Sequence, residues 1–208
     1  MFRDLATCLS EERLAPYLVE AGHDESRALR LYEWNMDIGN SFLPLLEVVE
    51  LCLRNCLGTR LSACYGEHWW RDEEFQDLLG QKGKGIVLRA EGDLRKRERE
   101  PTPGRMIAEL SFGFWVNMLL PKYEEPLLTP LSATFTHLPE AVNVADLRDC
   151  AERCRQLRNR ISHHEPLLGR DHSLDYSVGL RLLGWLQPAA LAWIKPRLVT
   201  MSILRQRP

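Results

Sequence analysis

The stretch from residue 45 to residue 64, LLEVVELCLRNCLGTRLSAC, constrains this chain most, because it is apolar on nearly every side of a 3.6-residue period. Such a segment has to be surrounded by other elements, so it marks a central helix, and Gly66 is placed to end it. No run alternates apolar and polar residues as a half-buried strand requires, and no repeat is present. An all-α helical bundle with few or no strands is the expectation. With 208 residues, 45% of them hydrophobic, there is material for one substantial core, so a single domain over residues 1–208 is expected.

Punctuation along the chain predicts the other helices. Ser10 precedes Glu11, Glu12 and the apolar Leu14, Tyr17 and Leu18, which starts a short helix that stops near Gly22. Asp24 caps a second one, and residues 28–38 form a mostly buried helix interrupted around residues 40–44, with Pro44 suited to a new first turn. Residues 80–104 turn polar and glycine-rich, which predicts an exposed hairpin or a solvated helix. Residues 106–120 return to apolar helix character, and Pro121, Pro126, Pro130 and Pro139 then punctuate an irregular connection. Asn143 starts a helix that reaches His163 or His164, where Glu165 and Pro166 stop it. A last helix, residues 174–194, bends or breaks near Pro188.

Charge and composition narrow the function classes. A net charge of −2 gives no global basic footprint, so contact with nucleic acid has to come from a local patch. The apolar runs are far shorter than the roughly 20 residues of a membrane span. The first residues lack a secretory leader's long apolar region, so export is not expected and a cytoplasmic setting is. The pairs Cys52/Cys56 and Cys150/Cys154 sit at four-residue spacing inside helical patterns and read as small buried hydrophobes. A four-thiolate metal site would need a tighter chelating turn. No cofactor or metal is expected.

On the helix after Asn143, the residues Leu147, Cys150, Cys154, Leu157 and Ile161 form one buried stripe. At about 100° per residue, Asn159 and His163 fall roughly opposite that stripe and share a face, whereas Arg158 lies near its edge, about 140° from His163. Arg158 and His163 therefore converge only through arginine's length, an unwound last turn, or a second chain. An arginine followed by a histidine is a weak signal in a chain so rich in arginine. The asparagine directly after Arg158 makes the string rarer. The plain alternative is a solvated helix end.

The string Leu157-Arg158-Asn159-Arg160-Ile161-Ser162-His163-His164-Glu165-Pro166 resembles the Arg-Asn-x-x-x-His signature of HEPN domains in the form carried by Abi-like (abortive infection) proteins. Further stretches resemble the same family: Leu31-Tyr32-Glu33-Trp34-Asn35, Leu53-Arg54-Asn55, Tyr65-Gly66 before Trp69-Trp70, and Leu110-Ser111-Phe112-Gly113. The resemblance implies an α-helical HEPN-like bundle that dimerises and acts as a metal-independent endoribonuclease, as a toxin or antiviral effector. RNA, a second copy of the chain, and an antitoxin or phage trigger protein are the partners implied. Matched by position, Arg158, Asn159 and His163 take the catalytic places. Histidine moves protons at neutral pH, and arginine gives permanently charged donors to a phosphate whose charge grows on attack. By the same resemblance the products are a 2′,3′-cyclic phosphate and a 5′-hydroxyl. A noncatalytic HEPN module that binds RNA, a nucleotide or a protein partner is the alternative.

Several supporting residues keep two readings. His164 packs against a partner or caps the helix. Adjacent helical residues point about 100° apart, so His163, His164 and Glu165 do not chelate one ion tightly. Glu50 and Arg54, on the central helix, form an internal ion pair or line the same cleft as Arg158. The cations from Lys82 to Arg99 steer RNA or are merely solvated. The Trp69-Trp70 pair stacks bases or anchors a loop on the core.

Overall fold

The computed structural model describes residues 2–208, which form helices and connecting segments with no strand among them. The spine is α3 (Glu25–Tyr65), 41 residues long and therefore about 60 Å from end to end. Asp24 caps its start by accepting the Arg27 N–H at 2.9 Å. Ile38, Phe42, Leu45, Val49, Leu53, Leu57 and Leu61 are all fully buried along it. The expected interruption around Pro44 is corrected: the helix runs straight through that residue. Proline inside a helix costs about 3 kcal/mol. Burying Phe42, Leu45 and Leu46 on the same two turns returns roughly 5 to 8 kcal/mol, so continuity wins.

Before the spine lie α1 (Phe2–Leu9), which the sequence reading passed over, and α2 (Glu11–Glu20), which Ser10 caps as expected. Tyr17, Ala21, Ala28 and Leu31 close a small apolar cluster of their own beneath α2. Of the two readings for 80–104 the helix holds as far as Lys96: α4 (Glu73–Lys96) bends at Gly80, whose φ of 70° suits glycine, and buries Val87, Ala90 and Leu94 on one stripe, before a non-helical link over 97–102. Residues 106–120 are also corrected, because they split into α5 (Pro103–Glu109) and α6 (Phe112–Asn117). Ser111 accepts the Phe114 N–H at 3.3 Å and starts a fresh helix there. Trp69 and Trp70 are fully buried, Trp69 against Phe75 and Trp115 and Trp70 edge-on to Trp69, so they anchor the turn after α3 and offer no face to a base.

The second long layer is α7 (Val144–Ser162), followed by α8 (His172–Leu186), α9 (Pro188–Ile194) and α10 (Thr200–Leu204), the break at Pro188 falling where expected. α8 packs against both α3 and α7. Gly179 lets it come close, since a Cβ there would lie 2.9 Å from Leu45 Cδ2. Between α7 and α8 the carboxylate of Asp175, wholly buried, takes both nitrogens of the Arg170 fork at 2.9 Å and lies 2.6 Å from Arg153 Nε. The Arg153 nitrogen is misaligned for a hydrogen bond at that distance, so its contact is coulombic. Among the described residues no helix is long and apolar enough to cross a membrane.

Candidate functional site

α7 carries the signature and is fixed at both ends. At its start Asn143 and Asp146 exchange side-chain and backbone hydrogen bonds, each 3.0 Å, in a reciprocal cap. Leu147, Cys150, Cys154 and Leu157 are buried as the spacing predicts, and Ile161 packs on the core at the edge. At the far end His163 is the cap residue. The His164 N–H bonds to Ile161 O at 3.0 Å and the Glu165 N–H to Arg160 O at 2.8 Å, which closes a Schellman turn. Glycine usually occupies the left-handed place in that turn. Here it is His164, with φ of 55°, and the Arg13 guanidinium donates to its carbonyl from α2.

One groove between α3 and α7, about 420 Å³, gathers Glu50, Arg54, Arg158 and Ser162 with Glu47 and Leu43. Arg158 Nε stands 3.6 Å from Glu50 Oε2, a loose ion pair, and Arg158 donates to Asn159 Oδ1 at 3.4 Å. Of the two readings for Glu50 and Arg54, the groove has them lining the same cleft as Arg158, and Glu50 reaches across to α7 in place of pairing with Arg54. Burial pushes the Glu50 carboxyl above its ordinary range, and Arg158 and then Arg54 pull it back. Arg54 itself makes no ion pair or hydrogen bond among the described residues, and its Nε is buried. Glu50 gives Arg54 a coulombic attraction without an ion pair or hydrogen bond, so the guanidinium keeps its capacity to bind an anion in the groove.

The groove thus unites Arg158 with Glu50 and Arg54, but His163 and Asn159 do not line it. His163 follows Ser162 at the exposed helix end, and neither its imidazole nor that of His164 has a hydrogen bond or ring contact among the described residues. His164 and Glu165 turn the other way and line a second pocket, against α1, α2 and the first half of α3. Glu165 stands 3.4 Å from Arg160, whose Nη2 also donates to Pro166 O at 2.8 Å. Ser162 lies within the signature string, whereas Arg13 and Tyr17, from α2, are neighbours of the site that the sequence does not reveal. Tyr32 and Asn35 enter the sequence reading only as part of a resemblance, and no local signal in α1 or α2 points to a helix end some 150 residues later.

No group of three or more His, Cys, Asp or Glu side chains is placed to hold a metal ion among the described residues. All six cysteines are free thiols, with burial pushing Cys56 up to about 11 and Cys154 up to about 12, so neither is a reactive thiolate. No protein-family model, no curated protein and no solved structure matches this chain.

Proposed function

We propose that this chain is a metal-independent endoribonuclease of the HEPN type, acting as a homodimer in an abortive-infection or toxin-like role. The observation that supports the reading is the α3–α7 groove, where Arg54, with no ion pair among the described residues, and the loosely held Arg158 converge; His163 lies outside the lining, next in the chain after the lining residue Ser162. A phosphodiester supplies what these groups lack. Its nonbridging oxygens bond the two guanidiniums, and Glu50 gives up its 3.6 Å hold on Arg158 as the phosphate enters.

In the reaction an imidazole takes the proton of the ribose 2′-hydroxyl, the 2′-oxygen bonds to phosphorus, and the bond from phosphorus to the 5′-oxygen breaks as that oxygen receives a proton. The growing negative charge falls between Arg54 and Arg158. Asn159, bonded to Arg158, keeps the guanidinium oriented. One histidine cannot serve as both acid and base in a single step, so a two-fold axis beside the end of α7 brings in the second His163. The test is incubation of the purified protein and its His163→Ala variant with mixed cellular RNA in EDTA. Fragments with cyclic phosphate and 5′-hydroxyl ends from the wild type alone support the reading. Intact RNA, or equal cutting by both proteins, contradicts it.

A further inference from the structure

The second pocket, between α1, α2, α3 and the end of α7, encloses about 500 Å³ and is lined by polar side chains with unused donors. Asn35 is 9% exposed, and its Oδ1 accepts the Leu167 N–H at 2.7 Å. That bond fixes which end of the amide is nitrogen, and the remaining NH₂ donates to nothing among the described residues. Tyr17 is 1% exposed, its ring edge-on to Tyr32 at 5.1 Å, and neither phenol has a hydrogen bond there. Burial first, and then the nearby Tyr32, push the Tyr17 hydroxyl up to about 12, with Arg13 opposing them, so the Tyr17 phenol is a protonated donor at neutral pH.

The walls between these donors are apolar, from Leu9, Met36, Ile161 and Leu167, and Glu165 adds one carboxylate. A free phosphate meets one guanidinium, Arg13, which already holds the His164 carbonyl, beside the His164 side chain and the carboxylate of Glu165, which opposes an anion even though Arg160 lies 3.4 Å from it. A hydrocarbon leaves the amide and phenols unanswered, at a cost of about 1 to 3 kcal/mol for each group. A flat ring with acceptors along one edge and an N–H along another answers all of them. The nucleobases have that chemistry.

The pocket is also in line with the groove. Met36 and Asn40 border the pocket, Leu43 and Glu47 border the groove, and the four follow three- and four-residue steps on one face of α3. Met36 and Leu43 are 46% and 40% exposed there, unusual for apolar side chains on a buried spine. We infer that the pocket receives one unpaired nucleobase of the strand whose phosphate lies in the α3–α7 groove, and so selects where that strand is cut. The strand's identity rests on the ribonuclease reading. The pocket's affinity for a base does not.

The test separates the two. Adenosine, guanosine, cytidine and uridine are titrated singly into the full-length protein by calorimetry or ligand-detected NMR, with no RNA present. At least one is expected to bind with a Kd of about 0.1 to 1 mM, the range of a ligand this size. Tyr17→Phe, which deletes only the free hydroxyl, should weaken it about five- to tenfold. Met36→Trp, which fills the pocket mouth, should abolish it, and both variants should keep the wild-type Tm. Absence of binding by any nucleoside at about 10 mM overturns the inference, as does binding indifferent to both substitutions. Nucleoside binding without RNA cleavage retains the pocket and removes the nuclease, and cleavage without nucleoside binding does the reverse.

Discussion

α7 uses its charges in two opposite ways. On the side facing α8, Arg153 meets a carboxylate of Asp175 that is wholly buried and already held twice by Arg170 at 2.9 Å. On the side facing α3, Arg158 stands 3.6 Å from Glu50 in an open groove, and Arg54 across from it makes no ion pair or hydrogen bond among the described residues. The first arrangement leaves Asp175 no unmet demand and locks two helices together. In the second the demand is unmet, and in a folded chain that marks a place prepared for something from outside. The contrast teaches that charge type says little about role. How fully each charge is answered says more.

Substitutions at four positions sharpen or break this contrast, and at three of them the effect runs from largest to smallest as follows. Asp175→Asn should destabilise by about 3 to 5 kcal/mol, because Arg153 and Arg170 lose the charge that balances them inside the protein. Urea unfolding reads this, and a loss below about 1 kcal/mol would mean the buried cluster is not the clasp. Arg54→Met should leave the unfolding midpoint unchanged or slightly higher, since it removes an unanswered guanidinium. It should also weaken RNA binding about tenfold and lower the salt slope by about one. Unaltered RNA affinity would detach Arg54 from the groove's function.

The smallest effect belongs to the turn after α7. His164→Gly should be more stable than His164→Ala by about 0.5 to 1 kcal/mol, because only glycine adopts the φ of 55° without strain. Equal midpoints for the two variants would show that the left-handed place carries no cost.

The two regions also differ in how far the sequence exposed them. α7 was legible almost to the residue, because its cap at Asn143, its apolar stripe and its stop at Pro166 are local chemistry. The break at Pro188 was legible for the same reason. Pro44 misled, since a local helix breaker is overruled by burial that only tertiary packing supplies. In α4 the stripe Val87, Ala90 and Leu94 was hidden among glycines and charges. Within the site, Arg158, Glu50 and Arg54 were named from the chain, but their pairing was not. Glu50 has Arg54 one turn away on its own helix and chooses Arg158 on another, a preference set by how α3 and α7 pack.

The central claim is that the α3–α7 groove works on RNA and does not hold the fold, and Arg158→Ala tests it when cleavage rate and thermal unfolding are measured on the same preparation. The account predicts a rate at least about a hundredfold below wild type, the scale of a lost transition-state donor, with a Tm within about 2 °C. Full cleavage by the variant, or a Tm that collapses along with the activity, would contradict it.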